Sequence, residues 1–235
     1  MIYAIADLHG YPHQRFMDLL EKAGFCDEDF LFVIGDVVDR NGDGGIETLQ
    51  WMMMQPNVEL ILGNHEAMLL ACSFVFEEIS DESIEKLKAE KIGVLSDYIS
   101  NGGGVTLKAM RQLSRQEQKD ILQYLREAPV YDMISVGKND YLLVHAGLEN
   151  FSPCKKLSEY SPGELIWSSP KIGEDYYPDL KVVFGHKPTF TYGEAYRGTT
   201  VRTDTWIAID AGAGYGERPV LLRLDDLREF RLKEL

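Results

Sequence analysis

The chain has 235 residues, of which 45% are hydrophobic and 26% charged, and this composition excludes a disordered protein. Single α/β domains often reach this length, so we expect one domain over residues 1–235. The formal net charge of −14 repels the phosphates of nucleic acids and predicts a protein that does not bind DNA or RNA non-specifically.

The cysteines and the apolar runs indicate the cellular compartment of the protein. Cys26, Cys72 and Cys154 are an odd number without close spacing, which fits neither a disulfide framework nor a zinc ribbon and favours a reducing cytoplasm. The N-terminal MIYAIADLHG lacks the basic region of a signal peptide and predicts a strand. The longest apolar run, MLLACSFVF, is too short to cross a membrane, so we expect a cytoplasmic protein without a membrane partner.

The first quarter of the chain predicts alternating strands and helices. Short apolar runs at residues 2–6, 30–34 and 58–62 predict three strands. Between them, YPHQRFMDLLEKAGF and GIETLQWMMM carry apolar residues at helical spacing and predict helices that cover the sheet.

Residues from about 64 to 128 predict a mostly helical region, in which SRQE at residues 114–117 is a capping-box pattern and NGGG from Asn101 predicts a loop. After Pro129 the chain turns to β-rich segments, VYDMISV, YLLVHAG, KVVFGH, TWIAIDAG and PVLLRL. The predicted fold class is therefore an α/β sandwich in which the N-terminal and C-terminal portions share one core.

Five predicted strands end in the residue types that ligate metals: AIADLHG, FVIGDVVDR, LILGNHE, LLVHAG and VVFGH. Four of the five histidines in the chain fall in these motifs. Ligands bind at the carboxyl ends of strands in open α/β sheets, so we expect these side chains to share one crevice. The predicted group is Asp7, His9, Asp36, Asp39, Asn64, His65, His145 and His186.

This mixture of carboxylate, imidazole and amide oxygen suits Mn, Fe, Co, Ni or Zn as divalent ions and lacks the thiolates of a structural zinc site. The ligands are too many for one catalytic ion. Two ions bridged by one carboxylate would use them all, and such pairs clamp the attacking and leaving oxygens of phosphoryl transfer.

The order of the motifs D-x-H, G-D-x-x-D-R, G-N-H-E, H-A-G and G-H resembles that of the calcineurin-like metallophosphoesterases, from Ile2 to about Leu224. Within that superfamily the motif order is similar to that of bacterial phosphoprotein phosphatases of the lambda phosphatase type. Those phosphatases have an N-G-G-x-x-T loop, and the segment SNGGGVTL resembles it. The resemblance implies a four-layer sandwich of two mixed β-sheets flanked by helices, with a helical insertion in the middle of the chain.

The resemblance also implies roles for the motif residues. Arg40 would grip the phosphate, and His65, oriented by Asp39, would protonate the leaving alkoxide while a metal-bridging hydroxide attacks phosphorus. Mn is the expected metal, with Fe, Zn, Co and Ni as alternatives. One ion would be held by Asp7, His9 and Asp36, and the second by Asp36, Asn64, His145 and His186.

The function expected from this resemblance is a serine/threonine protein phosphatase, dual specificity included, that acts on a phosphoprotein or a small phosphate ester. Two alternatives stay open. LGNHEAMLLA resembles symmetrical diadenosine tetraphosphatases, which also have a leucine at the position of Leu62, although that group generally lacks the aspartate found here as Asp39. A non-catalytic scaffold stabilised by metal is the second alternative.

Three further side chains are interpreted without a fixed role. Glu66 is either a carboxylate behind the metal ligands or an acidic residue in the first turn of a helix. Trp167 and Trp51 could stack on an adenine or a phosphopeptide, but both are expected in the core because most tryptophans on apolar helix faces or strands are buried.

Overall fold

The computed structural model describes residues 1–77 and 89–233. In chain order the strands are β1 (Ile2–Ile5), β2 (Phe30–Ile34), β3 (Val58–Ile61), β4 (Tyr131–Val136), β5 (Asn139–Val144), β6 (Lys181–Phe184), β7 (Val201–Arg202), β8 (Trp206–Ala208), β9 (Leu221–Arg223) and β10 (Arg228–Phe230). The helices are α1 (His13–Ala23), α2 (Ile46–Met52), α3 (Asn64–Ala71), α4 (Ala89–Tyr98), α5 (Gly104–Met110), α6 (Arg115–Glu127) and α7 (Pro162–Ile166).

The strands form two mixed five-stranded sheets, with strand orders β10-β9-β1-β2-β3 and β4-β5-β6-β8-β7. In the first sheet β1, β2 and β3 are parallel, and β9 pairs antiparallel with β1. In the second sheet β5, β6 and β8 are parallel, while β4 and β7 pair antiparallel at the two edges. The predicted α/β class with two mixed sheets flanked by helices is confirmed.

Side chains alternate between the two faces of each sheet, as the pleat requires. Ala4, Phe32 and Ile34 of the first sheet and Leu143 and Val183 of the second belong to one buried cluster between the sheets. The opposite face of the first sheet packs against helices, and that of the second packs against the region around α7. Four layers result from this arrangement.

Helix α1 forms as its pattern predicts. Phe16, Leu19 and Leu20 are buried, and the helix ends at Gly24, whose left-handed φ of 74° lets its amide bond back to the last turn. The buried stripe is what fixes this helix on the sheet.

A helical region of the chain, α3 to α6, lies between β3 and β4 as predicted, although residues 78–88 of the predicted helical stretch lie outside the described residues. None of the helices in the described part of the chain has the length and apolar character needed to cross a bilayer.

The loop predicted at NGGG is instead a wide helical turn, Ile99–Gly103, that joins α4 to α5. Gly102 adopts a φ of 102°, a conformation that glycine accepts without strain, and its carbonyl accepts a hydrogen bond from the Arg40 amide at 3.1 Å. The prediction of a loop was wrong because a glycine run is also compatible with a kinked helix.

Two strands are absent from the sequence-based prediction, β7 and β10. Both have no more than three residues, too few to establish an alternating pattern. Strands β9 and β10 return the chain to the sheet that β1 begins, where β9 pairs with β1 and β3 forms the opposite edge.

Candidate active site

The predicted site residues lie together where the parallel strands of both sheets end. Asp7 and His9 follow β1, Asp36 follows β2, and His145 and His186 follow β5 and β6. Seven of the predicted residues are no more than 3% exposed: Asp7, His9, Asp36, Asp39, Asn64, His65 and His145. Burying so many polar groups is costly unless each has a partner or a ligand.

The backbone is strained at the same positions. Eight non-glycine residues in the described part of the chain have positive φ, and six of them are predicted site residues. Such conformations cost on the order of 1–3 kcal/mol each and persist where the surrounding structure imposes them, often at functional sites. The six are Asp7, His9, Asp36, Asp39, Arg40 and His186, with φ between 45° and 80°.

The His9 ring has a fixed tautomer. Its Nδ1 lies 3.0 Å from the Val38 carbonyl and therefore donates its proton there. The lone pair on Nε2 is left facing Oδ2 of Asp36 at 3.5 Å and Oδ1 of Asp7 at 3.9 Å. Three acceptor atoms therefore meet on this side of the site.

The His145 ring is arranged in the same way. Its Nδ1 donates to the Ile34 carbonyl at 3.0 Å, and its Nε2 faces Oδ1 of Asp36 at 3.4 Å and Oδ1 of Asn64 at 2.9 Å. His186 brings its Nδ1 to 3.0 Å from the same Asn64 oxygen. Ring nitrogens and side-chain oxygens that can bind a metal meet here too, on the other side of Asp36.

These contacts fit bound cations. Within each of two groups, ligand atoms lie within 4.8 Å of one another, and the groups are His9, Asp36 and His65, and Asp36, His145 and His186. Lone pairs that converge in a buried space repel one another unless a cation lies between them. Because both groups contain Asp36, the donor set fits two divalent ions that share this carboxylate.

Two positions differ from the predicted ligand arrangement. Both Asp7 oxygens accept the backbone amide of His186, at 3.0 and 2.9 Å, and Asp7 belongs to neither close group. His65 lies in the first group, although the sequence assigns it a proton-transfer role.

Burial keeps the imidazoles of His9 and His186 in the neutral form that binds metals, whereas for His145 the Asp36 carboxylate outweighs burial and raises the pKa. Burial lowers the pKa of His9 to about 3, although Asp36 opposes this shift, and burial with His145 lowers the pKa of His186 to about 4. Burial also tends to raise the pKa of Asp36, but the surrounding histidines, led by His145, hold it well below the usual range. Asp36 is therefore the carboxylate that stays ionised at the centre.

Asp39 and His65 form the pair expected from the sequence. Oδ2 of Asp39 lies 2.7 Å from Nδ1 of His65, and its Oδ1 accepts the Tyr98 hydroxyl at 2.7 Å and the Thr106 hydroxyl at 2.6 Å. Tyr98 and Thr106 come from the helices on either side of the NGGG turn, which therefore holds Asp39 in place.

Arg40 lies over the same histidine. Its Nη2 is 3.3 Å from Nε2 of His65, and its guanidinium is 4.8 Å from the centre of the Tyr215 ring. Since a guanidinium can only donate and the Asp39 carboxylate accepts, His65 in this arrangement carries its proton on Nδ1 and a lone pair on Nε2.

Glu66 combines both roles that the sequence leaves open. Its Oε2 accepts the amides of Asp36 at 2.8 Å and Gly63 at 3.1 Å, the second of which caps α3. Its Oε1 accepts the amides of Val37 at 2.8 Å and Val38 at 3.2 Å. One buried carboxylate therefore holds the turn that presents Asp36.

Asp210 is an acidic residue beside the site that the sequence analysis misses: after burial, its charge is the strongest influence that raises the pKa of Asp7. It lies just after β8 and is 2% exposed, and burial raises its pKa to about 7. Its segment, TWIAIDAG, ends in an acidic residue like the other strands, and this pattern is the signal that could have found it.

Trp167 lies at the site and not in the core, so its core interpretation is wrong. Its side chain is 51% exposed, and its ring is 6.1 Å from the His186 ring, edge to face. Helix α7 has only five residues and ends just before Trp167, so the side chain projects beyond the helix and away from its buried face.

Comparison with known proteins identifies the family of this arrangement. The family model for calcineurin-like phosphoesterases matches residues 1–211. This match confirms the predicted class, a metal-dependent phosphoesterase, and the superfamily resemblance, but it does not specifically support the lambda phosphatase type.

Curated relatives include symmetrical bis(5'-nucleosyl)-tetraphosphatases. That of Chromobacterium violaceum is 30% identical over 198 residues, covering 80% of this chain and 57% of the relative. That of Methylobacillus flagellatus is 25% identical over 193 residues, covering 79% and 56%. The chain thus spans little more than half the length of these relatives.

Solved structures agree on the fold. A crystal structure described as a candidate diadenosine tetraphosphatase superposes with a TM-score of 0.66 at 17% identity, covering 98% of this chain and 92% of that one. A protein serine/threonine phosphatase from Saccharomyces cerevisiae gives a TM-score of 0.55 at 17% identity, covering 100% and 80%. Likeness at this identity establishes the fold alone.

The prediction of a serine/threonine protein phosphatase is wrong, because the curated relatives are tetraphosphatases and a protein phosphatase resembles the chain only in fold. The error came from giving Asp39 more weight than Leu62. Asp39 is part of a buried network with His65, Tyr98 and Thr106, and such a network orients a histidine whether the substrate is an ester or an anhydride.

Proposed function

Since the chain belongs to the calcineurin-like phosphoesterase family, we propose that it is a symmetrical bis(5'-nucleosyl)-tetraphosphatase. It would cleave the central phosphoanhydride of a dinucleoside tetraphosphate, such as diadenosine tetraphosphate, into two nucleoside diphosphates. The observation that carries the chemistry is the Asp36 carboxylate shared by two groups of convergent ligand atoms, and the relatives supply the substrate class.

Six side chains are proposed to hold two divalent ions, with manganese as the expected metal. When bound, such ions lower the pKa of water and stabilise the negative charge that develops on phosphate oxygens. The neutral imidazoles of His9 and His186 and the ionised Asp36 are in the forms that accept cations. The proposed ligands are Asp7, His9 and Asp36 for one ion, and Asp36, Asn64, His145 and His186 for the other.

Arg40 is proposed to bind the phosphates beside these groups. A guanidinium offers planar paired donors that match phosphate oxygens, and the hydrogen bond from the Arg40 backbone amide to the Gly102 carbonyl limits the motion of the residue. When the substrate binds, a phosphate oxygen would replace Nε2 of His65 as the acceptor of the Arg40 guanidinium.

His65 is proposed to assist the leaving group, with Asp39 fixing its ring. When the Arg40 guanidinium turns to the phosphate, Nε2 would be free to take up a proton from water and pass it to the leaving oxygen. A nucleoside diphosphate is a much weaker base than a serine alkoxide, so an anhydride needs less help from an acid than a phosphoserine does. The site is therefore compatible with cleavage of an anhydride.

We also propose that residues 1–235 form one domain, because β9 and β10 complete the sheet that β1 begins. The three cysteines are free, which supports the proposed location in a reducing cytoplasm.

The test is a substrate panel with purified chain and Mn²⁺. We expect kcat/KM for diadenosine tetraphosphate to exceed that for a phosphoserine peptide by at least about 100-fold, with ADP as the sole nucleotide product. Formation of ATP and AMP, or preference for the peptide, would contradict the proposal. The absence of turnover with every divalent metal would favour the scaffold alternative.

A further inference from the structure

Two exposed aromatic side chains lie beside the proposed active site. Among the large apolar side chains that are exposed in the described part of the chain, two are aromatic, Trp167 at 51% and Tyr215 at 60%. Both contact residues of the site, and the catalytic proposal uses neither ring. Large rings are normally at least half buried, so two that stay open at one site indicate a ligand.

Tyr215 lies at the end of the site formed by His9 and Arg40. The Arg40 guanidinium packs against its ring at 4.8 Å, and the Phe190 ring meets it edge to face at 5.9 Å. The side chain is carried by a short helical turn, Ala213–Tyr215, between two left-handed glycines. The ring is thus held by its neighbours while most of its surface stays open.

Trp167 lies at the other end, against His186. A cavity of about 400 Å³ is lined by Ser168, Ser169 and Pro170, which directly follow Trp167 in the chain, although the Trp167 ring itself does not line it. Asn150 and Asp175, which can form hydrogen bonds, also line the cavity. Its volume is within the range of small-molecule sites and suits a nucleoside.

These positions match the shape of a symmetrical substrate. The two groups of ligand atoms share only Asp36, with His9 in one and His186 in the other. A phosphate chain cleaved at its centre would lie across Asp36, so the two nucleosides would leave the site at its two ends. A flat ring stands at each of these ends.

Resting on the proposed function, we propose that Trp167 and Tyr215 stack the two nucleobases of the dinucleoside substrate, one at each end of the site. Stacking uses the flat face that every base has, and an aromatic ring supplies it without needing a specific base. The rings set selectivity for dinucleotides over phosphates that lack bases.

The kinetic test compares diadenosine tetraphosphate with inorganic tetraphosphate, which has the same anhydrides and no base. Trp167→Ala and Tyr215→Ala should each lower kcat/KM for the dinucleotide about 10- to 100-fold. Activity on inorganic tetraphosphate should stay within about twofold. Trp167→Phe and Tyr215→Phe should retain most of the dinucleotide activity, since a ring remains to stack.

Ile172→Ala is the matched control, because Ile172 is an exposed apolar residue at 56% in the segment that follows Trp167. It should leave both activities unchanged. If the alanine variants lose activity equally on both substrates, the rings serve the fold or Arg40, and the stacking proposal is wrong. If they change neither activity, the rings are more suited to docking a protein partner, and the proposal is equally wrong.

Binding can be measured without turnover. ADP should quench the emission of the exposed Trp167, whereas inorganic pyrophosphate should not. In Trp167→Phe the response should disappear, because Trp206 is fully buried and Trp51 is packed against the core. Quenching that persists in this variant, or that pyrophosphate reproduces, would overturn the assignment of Trp167.

The two proposals fail in different ways. A wild-type chain that cleaves no dinucleotide would refute the proposed function, while ADP quenching would still report on stacking at Trp167. A wild-type chain that forms ADP from diadenosine tetraphosphate, with alanine variants that show no selective loss, would refute stacking alone.

Discussion

Replacing Glu66 with glutamine should both destabilise the protein and weaken its hold on metal. The wild-type carboxylate accepts four backbone amides with two oxygens, from Asp36, Val37, Val38 and Gly63. A glutamine has one oxygen and one NH₂ group, so whichever way it turns, two amides lose their acceptor and face another donor.

The cost can be worked out from these contacts. Leaving a buried amide without an acceptor costs about 1–3 kcal/mol, and two are affected. We therefore expect the free energy of unfolding to fall by about 2–5 kcal/mol, since the turn can relax only in part. Because the same turn carries Asp36, its displacement should lower metal affinity about 10- to 100-fold, as expected for a residue that supports a ligand.

Urea denaturation in EDTA measures the stability without metal, and calorimetric titration with Mn²⁺ measures the affinity. Glu117→Gln is the matched control, because Glu117 makes the same kind of capping bond to Ser114 at 2.8 Å but lies on the surface. It should cost no more than about 1 kcal/mol. If Glu66→Gln is as stable as this control and binds Mn²⁺ with wild-type affinity, the carboxylate does not support the site.

Three further predictions follow from individual contacts. Asp36→Asn should lose both ions together, measured as metal content by mass spectrometry, and retention of one ion would show that the carboxylate is not shared. Tyr98→Phe should cost about 1–3 kcal/mol in urea denaturation and lower kcat more than it changes KM, because Asp39 loses one of its hydroxyl donors; an unchanged kcat would remove Tyr98 from the site. Leu143→Ala should cost about 2–5 kcal/mol by opening a cavity between the sheets, while activity per folded molecule stays at the wild-type level.

The part of the site that could be predicted from the sequence lies next to strands in the chain. Asp7 and Asp36 each follow a strand within two residues, so a pattern of apolar runs places them at a common edge. His145 and His186 follow β5 and β6 in the same way. Local sequence is sufficient in these cases because a parallel sheet brings all its carboxyl ends together.

The supports of the site could not be predicted in this way. Tyr98 and Thr106 are 59 and 67 residues from Asp39, and only the packing of α4 against α3 and of α5 against α2 brings their hydroxyls to it. Glu66 is 30 residues from Asp36, and its contacts exist only because β2 and β3 are neighbours. Periodicity contains no information on such long-range pairs.

The error in substrate has the same physical origin. The strand-end motifs encode convergent ligands for cations, and both ester and anhydride hydrolysis need those ligands, so the motifs cannot distinguish the two. Discrimination between an ester and an anhydride substrate depends on the side chains that contact the rest of the substrate. In this fold such side chains lie on loops outside the motifs, and examples are Trp167 after α7 and Tyr215 after β8. The residues that decide which phosphate is cleaved are thus the ones whose positions only the folded chain reveals.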